Sequence, residues 1–158
     1  MKSRLARSIA ALALLVAAAG ASAQSAEVAI HSIKGSFTDV KERVLLAIEN
    51  RGLVLNYTAR IGAMLERTGK DIGTERRIYG EAEMLEFCSA RVSRDTMEAD
   101  PRNIVFCPYS IAIYTLPRDK STVYVSYRRP GTVGSAQSVK SLRAVERLLA
   151  DIVREALK

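Results

Sequence analysis

From Val28 to the C-terminus, the spacing of apolar residues switches repeatedly between a period of two and a period near 3.6. Alternation over a short stretch gives a strand one apolar face, and recurrence every three or four residues gives a helix one apolar stripe. A chain that changes period this often, with short turn signals and no internal repeat, buries both kinds of face by laying helices on a sheet. The expectation is one α+β domain, a mostly antiparallel sheet of about five strands with packed helices and a C-terminal amphipathic helix.

The segments are read as follows. Val28 to Lys34 is a first strand, with Ala29, His31 and Ile33 opposed to Val28 and Ile30. Ser36-Phe37-Thr38-Asp39 has the form of a capping box, and the helix after it carries Val40, Val44, Leu45 and Ile48 on one side. Asn50-Arg51-Gly52 ends that helix, with Gly52 suited to a left-handed position. Leu53 to Ile61 is a second strand, followed by a short helix from Ala63 to Thr68 that closes at Gly69, then a loop from Lys70 to Arg77. Glu83 to Cys88 is a third strand, Ser89 caps a helix from Ala90 to Ala99, and Asp100 to Asn103 form a turn. Ile104 to Thr115 is a long apolar strand interrupted by Pro108, and Thr122 to Arg129 returns from it as a hairpin. Val139, Leu142, Val145, Leu149, Ile152, Val153 and Ala156 mark the stripe of the closing helix.

The first 23 residues have a different character. Lys2, Arg4 and Arg7 precede an unbroken apolar run from Ile9 to Ala19, which is too short for the ~20 residues that cross a bilayer. Ala21-Ser22-Ala23 offers the small-x-small pattern of a signal-peptidase site, so residues 1–23 read as a signal peptide and 24–158 as the domain. Cleavage is expected between Ala23 and Gln24, with delivery to the periplasm or beyond and no transmembrane segment afterwards. No Cys follows the run to mark a lipoprotein, and no Arg-Arg pair marks the twin-arginine route. Three of the 24 basic residues and none of the 17 acidic ones leave with the peptide, so a net charge of +7 falls to +4. A mildly basic exported domain is no case for nucleic acid.

Export places Cys88 and Cys107 in an oxidising compartment. Three readings stay open: a structural disulfide, two buried thiols that pack as small hydrophobes, and a reactive or ligand-binding pair. Cys88 stands just before a helix N-terminus, with Arg91 and Arg94 in the first turns, a setting that favours a low-pKa thiolate. Cys107 stands mid-strand among apolar residues. Parallel third and fourth strands would hold the two sulfurs too far apart to bond, whereas antiparallel strands would bring the end of one beside the start of the other.

Arg128-Arg129 at the end of the last strand, with Arg76-Arg77 in a loop, can bind an oxyanion, or they can be the solvated basic edge that stops strands from aggregating. The edge reading is preferred. The single histidine, His31, is read as a packing residue. No metal is expected, because the cysteines form no CxxC pair and their spacing from His31 carries no ligand signal. No cofactor is expected either: GxSxG, Walker, Rossmann and CxxCH patterns are all missing. Glu81, Glu83 and Glu86 read as the wet face of the third strand.

Phe87-Cys88-Ser89-Ala90, Met97 through Tyr109 and Tyr124 through Pro130 together resemble the exported branch of the domain of unknown function 302 family, over about Val28 to Lys158. More distant members carry Cys-Asn-Pro where this chain has Cys88-Ser89-Ala90, and Leu-Pro-Cys where it has Phe106-Cys107-Pro108. The resemblance implies a small two-layer α+β domain that tends to pair as a homodimer, and it implies no established activity. The function expected is that of a periplasmic accessory or binding protein, not an enzyme, acting on a small ligand or a periplasmic protein. The alternative is a thiol-dependent redox or sulfur-carrier protein using Cys88 and Cys107.

Overall fold

The computed structural model describes residues 27–158. The expected signal peptide and its cleavage point lie outside them. In chain order the elements are β1 (Val28–Lys34), α1 (Phe37–Glu49), β2 (Val54–Ala59), α2 (Ile61–Asp71), β3 (Ala82–Cys88) and α3 (Ala90–Ala99). A 3-10 helix (Pro101–Phe106), β4 (Tyr109–Leu116), β5 (Asp119–Arg128) and α4 (Ala136–Ala156) complete the chain. The five strands form one sheet in the order β1-β5-β4-β3-β2, and every neighbouring pair is antiparallel. This is the expected α+β architecture. Among the described residues no helix is long and apolar enough to cross a membrane.

Local chemistry sets the helix ends. Ser36 accepts a hydrogen bond from the Asp39 amide and starts α1, and Gly52 adopts φ +67° just past its end. Ser135 caps α4 in the same way through the Ser138 amide. The β4–β5 turn is short because Asp119 takes hydrogen bonds from the amides of Ser121 and Thr122 and from both their hydroxyls. Those bonds lead a set of contacts, Lys34 among them, that hold its carboxyl well below the usual range.

One face of the sheet is buried. Leu85, Phe87, Ile111, Ile113, Val123 and Val125 point into it and meet Val40, Val44 and Ile48 of α1 and Val145, Leu149 and Ile152 of α4. The stripe expected on the closing helix is therefore the seam between helix and sheet. On the opposite face Tyr114 and Tyr124 stack with ring centroids 5.1 Å apart, and Ile30 is 59% exposed.

Several boundaries differ from the sequence expectation. The fourth strand begins at Tyr109 instead of Ile104, because the Asp100 carboxylate caps a turn at the Arg102 amide, Pro101 stands in its first turn and Pro108 has no N–H for a ladder. Asn103 then anchors the 3-10 helix from inside. It is buried, and its amide nitrogen donates to the Thr96 carbonyl at 3.0 Å and to the Ser138 hydroxyl at 2.9 Å, tying the segment to α3 and α4. Asn103→Ala should cost about 1–3 kcal/mol, since it leaves buried groups unpaired; a urea titration showing less than a few tenths would mean that the anchor is not needed.

Helix α2 runs beyond Gly69, which is buried inside it where an added Cβ would lie 2.8 Å from the Thr74 carbonyl oxygen. Glu83 is not on a wet face: it shares the inward side with Leu85 and pairs with Lys41 of α1 at 2.6 Å. His31 is exposed on the edge strand β1 and stacks against Tyr127 with centroids 6.4 Å apart.

Candidate functional site around the paired thiols

The antiparallel pairing of β3 with β4 places Phe87 opposite Tyr109. The end of β3 therefore lies beside the start of β4, although α3 and the 3-10 helix separate them in sequence. Cys88 is the last residue of β3, and Cys107 lies in the two-residue link between the 3-10 helix and β4, not mid-strand as expected. Their Sγ atoms are 3.0 Å apart and both thiols are free. A disulfide would need about 2.05 Å, so the bond is not formed here, but the fold has brought the two partners together.

Two residues that the sequence did not single out complete the cluster. Ser93, one turn into α3, has its Oγ 3.7 Å from the Cys107 Sγ and donates a hydrogen bond to the Tyr109 hydroxyl at 3.1 Å. Tyr109 is buried and meets the edge of Phe87, with centroids 6.2 Å apart. Burial pushes the Tyr109 phenol up, against the opposing pull of Ser93. The only trace of this cluster in the sequence is spacing: Ser93 falls one helical turn after the capping Ser89.

The electrostatics reverse the expectation of a low-pKa thiol. Burial first, then the hydrogen bond and charge of Cys107, push the Cys88 thiol up to about 11. The helix start is already occupied, because Ser89 Oγ accepts from the Val92 amide. Arg91 and Arg94 are exposed, and Arg94 is paired with Glu98 at 2.8 Å. Alkylation of Cys88 in the reduced protein should therefore rise with pH toward a midpoint near about 11. A midpoint at or below the ordinary thiol range of ~8.5 would contradict the geometry. The sign for stability follows: an unfolded chain loses this proton first, so the reduced protein should lose stability as pH climbs from the ordinary thiol range to about 11.

Arg128 and Arg129 do not sit on a sheet edge, because β5 lies between β1 and β4. This removes the preferred reading of them as an edge guard. Both line a cleft of about 270 Å³ whose walls include Phe106, Pro108, Tyr109 and Pro130, with Val145 and Leu149 at the helix side. Phe106 and Pro108 are the sequence neighbours of Cys107, so one partner of the thiol pair belongs to the segment that forms this wall. The Arg129 Nε is 3.2 Å from Glu146. Arg76 and Arg77 line a different hollow beside α2, where Arg77 pairs with Glu66 at 2.7 Å. The structure thus unites Cys88, Cys107, Arg128 and Arg129 at one end of the sheet and leaves Arg76 and Arg77 elsewhere. No group of three or more His, Cys, Asp or Glu side chains able to hold a metal occurs among the described residues.

Comparison with known proteins agrees with this fold. A structure of an uncharacterised conserved DUF302 protein from Bacillus stearothermophilus is similar, with a TM-score of 0.70 at 12% identity, covering 84% of this chain and 99% of that one. At that identity the likeness concerns the fold alone. No curated protein matches the chain. The family model described as domain of unknown function DUF302 matches residues 28–158, the whole of the folded domain, and the chain belongs to that family.

Proposed function

We propose that this is an exported binding protein whose cleft at Arg128 and Arg129 receives a small ligand, with Cys88 and Cys107 closing as a disulfide at the cleft wall. The observation that carries the reading is the position of Cys107 between Phe106 and Pro108, both of which line the cleft. A covalent tie from Cys107 to the end of β3 would hold that wall in place, and preorganised walls favour binding. In an oxidising compartment a small-molecule disulfide would supply the oxidant: it accepts two electrons and both thiol protons and leaves as two thiols, while the Cys88–Cys107 bond forms.

A thiol titration of protein recovered from the periplasm, native and denatured, tests the disulfide. No free thiol in either state is expected; two free thiols after denaturation would overturn it. Mass spectrometry of the same sample should show a chain beginning at Gln24, and a full-length chain held in the cytosol would overturn export.

The second reading is a reversible thiol redox or sulfur-carrier protein. The 3.0 Å sulfur contact favours it, and the raised Cys88 pKa opposes it, because thiolate is the attacking form. Rapid formation of a mixed disulfide on Cys88 near neutral pH in Cys107→Ser would decide for it.

A further inference from the structure

We infer that the cleft takes a small organic monoanion with an apolar body, of the aromatic or short-chain carboxylate class. The inference rests on the binding reading above and names its ligand chemistry.

Charge sets the first constraint. Among the described residues no Asp or Glu lines the cleft, and two arginines do. Arg129 is committed to Glu146 at 3.2 Å and also meets Tyr127. Arg128 is exposed and makes no ion pair among the described residues. One positive charge is thus left uncompensated, which suits a singly charged ligand. A planar guanidinium pairs with a carboxylate through two parallel hydrogen bonds.

The walls set the second constraint. Val105, Phe106 and Pro108 offer accessible carbon, with Val105 at the rim 74% exposed, while the buried Pro130, Val145 and Leu149 only close the cleft from behind. Beside the arginines, the side-chain polar groups in the lining are the hydroxyls of Tyr109 and Ser110, and the Tyr109 hydroxyl already accepts from Ser93. A bare inorganic oxyanion would meet the arginines and leave the carbon of Val105, Phe106 and Pro108 unused. An anion with an apolar body would instead use both halves of the cleft. Size permits it: a cavity of about 150 Å³ holds benzene, and the cleft measures about 270 Å³.

Amide chemical-shift titrations of the intact domain test this, using benzoate, its neutral isostere benzamide, and sulfate at matched ionic strength. Benzoate should shift the amides of Tyr109, Ser110, Arg128 and Arg129 saturably, with fragment-like affinity on the order of millimolar. Benzamide should bind roughly tenfold more weakly, the factor expected for one charge-assisted hydrogen-bond pair at a partly exposed site. Arg128→Gln should weaken benzoate by about the same factor while Arg128→Lys retains part of the affinity, and sulfate should leave these amides unmoved. Sulfate binding as well as benzoate, or benzamide equal to benzoate, would overturn the ligand class and leave a binding cleft standing. If none of the three probes moves the cleft amides, the ligand class and the binding reading both fall. The benzoate–benzamide comparison uses the natural chain, so it holds even if Arg128→Gln folds poorly.

Discussion

Replacing Phe87 by alanine should cost about 3–5 kcal/mol, the range for a fully enclosed aromatic ring. Phe87 is among the largest side chains with no solvent exposure, and it belongs to the core on the sheet's buried face. Its removal takes away more than transfer energy. The ring meets Tyr109 edge-on across the β3–β4 pair, and Tyr109 in turn takes the Ser93 hydrogen bond beside Cys107. A void there would also admit water behind Cys88, whose raised pKa depends first on burial. Urea unfolding should show the loss of stability, and alkylation of Cys88 at a fixed mildly alkaline pH should become faster in the same variant. A cost below about 1 kcal/mol would place the ring outside the core that the structure describes.

The second large effect concerns the sulfurs, and it appears only in oxidising conditions. Cys88 and Cys107 are 19 positions apart, and closing a loop of that size is worth about 3 kcal/mol in the chain-entropy account. Cys88→Ser and Cys107→Ser should each remove that contribution and lower the melting temperature by roughly 10 °C for a domain of this size. The double variant should be no worse than either single one, because one bond cannot be lost twice. With a reducing agent present, natural and variant proteins should melt within a few degrees of one another. Unequal single variants, or losses that persist unchanged in reducing buffer, would show that the thiols matter through packing and not through a bond. Scanning calorimetry with and without reductant separates these outcomes.

Much of the fold was legible from residues close together in the chain. β1 runs from Val28 to Lys34 as its alternation indicates, Ser36 and Ser89 cap their helices, Gly52 takes the left-handed position, and the apolar stripe of α4 is buried from Leu142 onward. Each of these depends on a spacing or a capping group within one or two turns of the chain, and such interactions act before any tertiary contact forms. The compositional reading of Ile104–Phe106 as strand failed for a related reason. Three consecutive apolar residues suit a strand, but Asp100, Pro101 and the buried Asn103 impose a 3-10 helix on them, and the Asn103 partners, Thr96 and Ser138, come from two other helices.

The site itself was half legible. Its residue types were visible: Cys88, Cys107, Arg128 and Arg129 were all nominated by their chemistry. Their meeting was not, because the same sequence permits β3 and β4 to run parallel or antiparallel, and only the antiparallel arrangement brings the sulfurs to 3.0 Å. The same holds for the arginines. As part of a terminal hairpin they read as an edge, but β1 pairs along β5 from Val28↔Arg128 to Lys34↔Thr122 and makes β5 an interior strand. Glu83 shows the effect at one residue, since its place on the helix side is tolerable only because Lys41 of α1 reaches it. The sequence by itself determined the span of β1, the caps of α1 and α3, the apolar stripe of α4 and which residue types can do chemistry, since these follow from neighbours along the chain. Strand order, strand direction and the convergence of thiols and arginines on one cleft were decided only by the tertiary structure, because they follow from how distant apolar faces exclude water together.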